Sequence, residues 1–116
     1  MWGAEEIWYK RLCGESLVYF PEPSNDFLEF TKQFSARSQS YIDLVNSKDE
    51  KYFFQPCSYK AIVGTSFTNM PWQIIMHCMN HSTYHRGQIV TILREVGVTT
   101  IPSTDMIVYF RETQKA

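Results

Sequence analysis

Ile75, Cys78, Ser82, His85, Ile89, Ile92, Leu93 and Val96 recur at three- and four-residue steps. That spacing is one face of a helix. It predicts a helix opened by Asn69 as cap, with Pro71 in its first turn, and closed at Gly97. At 1.5 Å per residue it would run roughly 39 Å, the longest element of the chain. Residues 2–13 predict a shorter helix, with Ala4, Trp8 and Leu12 on one side, Ile7 and Arg11 beside them, and Gly14 as its stop. Leu17 to Phe20 then reads as a brief extended connection over one end of a bundle, with Pro21 and Pro23 barring a helix.

Ser24 is placed to cap the next helix, with Asp26 in its first turn. Phe27, Phe30, Phe34, Tyr41, Leu44 and Val45 carry it to about Asn46 as a core stripe. Its polar middle, Ser35 to Ser40, reads as a solvated face. Residues 47–69 predict a charged turn and then a hairpin or extended crossing, with short strands at 52–54 and 61–63. After Pro102, Ser103 or Thr104 would cap a last helix near 105–112, anchored by Ile107, Val108, Tyr109 and Phe110. The tail Gln114-Lys115-Ala116 is expected to fray. The fold class is therefore all-α: three main helices and a short fourth, joined by a long crossing connection.

The chain has 116 residues, the size of one domain. Eleven basic against twelve acidic residues give no general field for nucleic acid or an anionic membrane. No apolar run approaches the roughly 20 residues that span a bilayer. Cys13, Cys57 and Cys78 are odd in number and lack C-x-x-C spacing. That argues against a disulfide framework and for a reducing cytoplasm. Nothing beside Cys57 would lower its pKa, so it reads as an inert thiol.

All three histidines, His77, His81 and His85, lie on the long predicted helix, four residues apart. On a wheel of about 100° per residue, His85 falls near the middle of the buried stripe, His81 about 40° to one side and His77 about 80° off, toward solvent. An i, i+4 pair of neutral imidazoles can share a zinc, nickel, copper or iron ion. The same spacing also fits one buried histidine with a hydrogen-bond partner and two at the surface. The wheel alone leaves both readings open.

The run Asn80-His81-Ser82-Thr83-Tyr84-His85-Arg86-Gly87-Gln88, followed by Ile101 to Arg111, closely resembles the DinB family. Trp8 to Glu15 and the Gly64-to-Pro71 approach fit the same pattern. The resemblance implies an up-down helix bundle over residues 1–116. It makes His81 and His85 two of three metal ligands, and His77 a position that is not usually a ligand. It also brings Tyr84, Arg86 and Gln88 into the motif: Gln88 to orient an imidazole, Arg86 to pair with a carboxylate such as Asp105, unless Asp105 caps its own helix. The family's first helix and first ligand histidine would fall before Met1, so the domain is expected to be incomplete at its N-terminus.

Two functions follow from the resemblance. In the first, the chain is a metal-dependent enzyme of the thiol-transferase or hydrolase type. Its divalent metal (Zn, Ni, Fe or Cu) would be bound weakly, or not at all, for want of a third ligand, with a small thiol as partner. Cys78, His77, water or another molecule are the candidate third ligands. Cys78 lies about two turns from His85, too far to share an ion with it on a regular helix. In the second, the chain is an inactive shortened bundle, metal-binding or structural, that self-associates as a homodimer through the helix face left open.

Overall fold

The computed structural model describes residues 1–114; Lys115 and Ala116, in the tail expected to fray, lie outside the described residues. The described chain is mostly helical. Helix α1 spans Trp2–Leu12, α2 Phe27–Ser47, α3 Pro71–Glu95 and α4 Met106–Thr113. Between α2 and α3 come a 3-10 turn, Glu50–Phe54, and two strands, β1 (Cys57–Lys60) and β2 (Ser66–Asn69). The strands pair antiparallel, Cys57 opposite Asn69 and Lys60 opposite Ser66. The mostly helical fold agrees with the expectation, and the crossing connection forms the hairpin, so a small two-stranded sheet joins the helices. No helix among the described residues is long and apolar enough to cross a membrane.

The predicted strands are displaced, for local reasons. At Tyr52-Phe53-Phe54 the Asp49 carboxylate accepts from the Tyr52 N–H at 3.1 Å, and the chain turns instead of extending. At Ala61-Ile62-Val63 the chain reverses. Ala61 N donates to Thr65 O and Gly64 N to Ala61 O, both at 2.8 Å, and Gly64 takes a φ of 91°. Side chains capable of strand geometry therefore became the turn.

The helix starts also shift. Asp26, not Ser24, caps α2: its carboxylate accepts from Glu29 N at 2.8 Å, while Ser24 Oγ accepts from Asp26 N. Asp105, not Ser103 or Thr104, holds the cap position of α4. Asn69 ends β2, and α3 opens at Pro71 with Gln73 reaching back to accept from Met70 N at 2.9 Å. The helix ends fall where glycine puts them. At Gly97, φ 88°, Val98 N donates to Leu93 O (2.9 Å) and Gly97 N to Arg94 O (3.0 Å).

The chain divides into two compact units, Met1–His81 and the residues from Ser82 on. The core lies in the first. Leu12, Tyr41, Tyr59, Ile74 and Cys78 are buried together, with Trp8, Tyr9, Leu44, Cys57 and Ile75 packed against them. Of the aromatic stripe on α2 only Tyr41 is enclosed, and Phe27 is 74% exposed. The polar middle of α2, expected in solvent, meets α1 at Arg37, which forms an ion pair with Glu6 and lies over the Tyr9 ring at 4.1 Å. Phe20 of the first connection packs on Gly3, where a Cβ would come within 2.8 Å of the ring carbon Cζ.

The second unit holds the rest of α3 and α4, with no fully buried apolar side chain among its described residues. Of the expected α4 anchors, Val108 is half-buried, whereas Ile107, Tyr109 and Phe110 are exposed. The buried stripe of α3 fades in the same way: Cys78 and Ser82 are enclosed, Ile89 and Ile92 are not.

Candidate metal centre

The three histidines sit on α3, which runs unbroken from Pro71 to Glu95. His77 is exposed, and His81 and His85 are half-buried. The His77 ring meets Trp8 edge-on at 5.1 Å and stacks near-parallel on His81 at 5.7 Å. It also borders a cavity of about 190 Å³ with Trp8, Asn69, Gln73 and Ile74.

His85 is held by its own helix. Its Nδ1 lies 2.7 Å from Gln88 Oε1, and Gln88 Nε2 donates to Tyr84 Oη at 3.2 Å. Tyr84 also sets its ring edge-on to the imidazole, with centroids 5.3 Å apart. With its amide oxygen on this side, Gln88 accepts from Nδ1, which leaves Nε2 as the ring nitrogen through which a neutral imidazole would bind an ion. Tyr84 and Gln88 thus hold the orientation of the ring. Among the described residues Arg86 forms no ion pair; its Nη2 donates to Thr83 Oγ1 at 2.9 Å, a contact within the same helix. Ser82, between the two histidines, is buried, and its Oγ has no hydrogen-bond partner among the described residues.

Glu5 and Tyr41 join this region, and the sequence reading passed over both. Tyr41 Oη donates to Glu5 O at 2.9 Å and touches Cys78 Sγ at 3.4 Å. Ser38 Oγ donates to the Glu5 carboxylate at 3.4 Å. Burial pushes the Cys78 thiol up to about 11, the Tyr41 contact pulling it down and Glu5 raising it further. Burial likewise drives Tyr41 far above the ordinary phenol range. The available signal was Glu5 at an inward position of α1, two residues before Ile7.

As a donor set the centre is partial. Among the described residues no group of three or more His, Cys, Asp and Glu side chains comes together as a metal cage. Cys78 is a protonated thiol engaged with Tyr41, and His77 is turned toward Trp8. His81 and His85 lie one turn apart on a continuous helix, a spacing that suits two donors to one ion.

A mostly helical chain with a histidine pair on its longest helix defines the class. A family model described as the DinB family matches residues 1–115, and the chain belongs to the DinB family. Protein DinB of Bacillus subtilis (strain 168) is 36% identical over 45 residues, which cover 38% of this chain and 26% of that protein. The match thus spans about a quarter of the relative's length. No solved structure matches the chain.

Proposed function

We propose that the chain is a DinB-type metal-binding protein, an up-down bundle of the family's kind, in which His81 and His85 donate to a divalent transition ion. The observation that carries this reading is the His85–Gln88–Tyr84 chain, which holds the imidazole through Nδ1. Such outer hydrogen bonds orient ligand imidazoles and raise their basicity. The remaining positions on the ion fall to water or to another molecule. A bound divalent ion would lower the pKa of a coordinated water or thiol, the chemistry of a hydrolase or a thiol transferase. The chain's own part is to orient the two rings, with Gln88 holding His85 through Nδ1.

The test is cobalt(II) or zinc titration, followed by visible absorption and calorimetry, with elemental analysis of the purified protein. Saturable binding is expected, weakened at least tenfold by His81→Ala or His85→Ala and about tenfold by Gln88→Ala. Binding that is absent, or indifferent to His81→Ala, sinks the reading.

A second, non-catalytic reading rests on a different observation. Within the first unit, Leu28 and Ile42 of α2 are exposed on one side of that helix, and Met76 and Met79 of α3 on one side of theirs. Apolar faces of this kind mark interfaces when they exceed a few hundred Å². A second copy of the chain is the occupant proposed, in a symmetric dimer, with or without metal. Sedimentation should show a dimer at micromolar concentration. A stable monomer there counts against it.

A further inference from the structure

The hairpin has two outer edges, and the chain treats them differently. Ala61 N donates to Thr65 O at 2.8 Å, which makes Ala61 and Thr65 a hydrogen-bonded pair. Such pairs alternate along an antiparallel ladder with pairs that are not hydrogen-bonded. In the register of β1 and β2, Lys60–Ser66 and Ser58–Thr68 are therefore the pairs without ladder bonds. Two contacts agree. The Oγ atoms of Ser58 and Thr68 lie 2.9 Å apart, as the closer side chains of such a pair allow, and Lys60 N turns away from β2 to donate to Ser16 Oγ at 3.0 Å. By the same alternation the backbone N–H and C=O groups of Ser66 and Thr68 point outward from β2.

The β1 edge is blunted. Ser16 occupies Lys60 N, and the strand ends in a lysine, the residue with which native sheets discourage further pairing. The β2 edge has no such device. Ser66, Phe67 and Thr68 are exposed, uncharged and free of proline. Among the described residues nothing hydrogen-bonds the outward N–H and C=O groups of Ser66 and Thr68. Between them Phe67 is 50% exposed, its ring beside that of Tyr59 with centroids 6.1 Å apart.

We infer that β2 pairs with β2 of a second copy of this chain, antiparallel about a twofold axis through Phe67. Ser66 of each copy then faces Thr68 of the other, and every outward N–H meets an outward C=O. An axis through Ser66 or Thr68 would instead set the remaining residue against Gly64 or Met70, whose N–H groups already donate to Ala61 O and Gln73 Oε1. Phe67 meets its own copy across a pair without ladder bonds, the kind with the closer side chains, where two aromatic rings attract. No charge stands on the strand, so the twofold brings no like charges together. The contact is small, and the dimer it forms is a weak one. It uses a surface separate from the apolar faces of α2 and α3 and stands or falls without them.

Sedimentation velocity of the full chain over a concentration series reads the association, and cysteine cross-linking reads the register. Ser66→Cys, Phe67→Cys and Thr68→Cys are each made in a Cys13→Ser background and treated with oxidised glutathione. Facing residues of a pair without ladder bonds hold their Cα atoms about 4.5 Å apart, within disulfide reach. Phe67→Cys should therefore cross-link to its own copy. Ser66→Cys and Thr68→Cys, out of step with theirs and beyond the roughly 7 Å limit, should do so at least tenfold less. Phe67→Lys, at an exposed position, should weaken association at least tenfold, and Thr68→Pro, which loses an outward N–H, should do the same; circular dichroism checks each fold, and Phe67→Lys decides if Thr68→Pro does not fold. A monomer at every concentration overturns the proposal, as does cross-linking equal at the three positions. A dimer that survives Phe67→Lys and gives no cross-link at Phe67→Cys also overturns it, and leaves the helix faces as the interface.

Discussion

Tyr41 places a hydroxyl in the core where a phenylalanine would fill the same space. Its hydroxyl donates to Glu5 O on α1 at 2.9 Å, and Cys78 Sγ lies 3.4 Å away. Tyr41→Phe should therefore cost about 1–2 kcal/mol, as loss of a buried hydrogen bond does, read from the urea midpoint at constant slope. The thiols should separate by reactivity. Cys13 is exposed and Cys78 buried, so iodoacetamide at pH 8 should modify Cys13 within minutes and Cys78 only on unfolding. Because the Cys78 pKa is raised in the folded state to about 11, its stabilising share is complete below the unfolded thiol's pKa and is lost as pH climbs through the folded one. Between pH 9 and 11 stability should fall, and Cys78→Ser should flatten that slope. Cys57, Tyr9, Tyr52 and Tyr59 are also raised, so the slope should not vanish.

At the scale of elements, the glycine stops were legible, as were the starts of α1 and α3 at Trp2 and Pro71, but the capping residues were not. Gly14 and Gly97 both adopt positive φ one residue past a helix cap, a backbone state that other residues enter at a cost, so the glycine marks the spot. Gly97→Ala should then cost about 1 kcal/mol in thermal or chemical unfolding, since a methyl there meets no atom within 4 Å and the penalty is backbone alone. Caps are ambiguous because several residues can serve. Ser24 and Asp26, or Asn69 and Gln73, differ only in which oxygen reaches an amide, and that depends on how the preceding chain arrives. Asp26→Ala should cost about 1 kcal/mol; Ser24→Ala should cost less, by the same measurement. The 52–54 and 61–63 segments were misread for a related reason. Their aromatic and β-branched content suits strands, but Asp49 and Gly64 bend the backbone first. Within the candidate centre, the His85–Gln88 contact follows from i, i+3 spacing on one helix, so it could be anticipated. The Glu5–Tyr41–Cys78 cluster joins three elements, and no local spacing encodes it.

For the whole molecule, every residue of the buried core precedes His81, and α3 is enclosed by other elements at Ile74 and Cys78 but open at Ile89 and Ile92. Helices draw most of their stability from packing one face, so one continuous helix should be unequal along its length. Amide hydrogen exchange, followed by mass spectrometry, should be slowest near Ile74–Cys78 and fastest from Ile89 onward. Uniform protection along α3 would contradict this. On the helix, His81 and His85 fall between its enclosed residues, Ile74 and Cys78, and its open ones, Ile89 and Ile92. Any ion gripping both would act as a rivet, slowing exchange downstream more than upstream, and a purely surface-bound ion would leave no such lopsided trace.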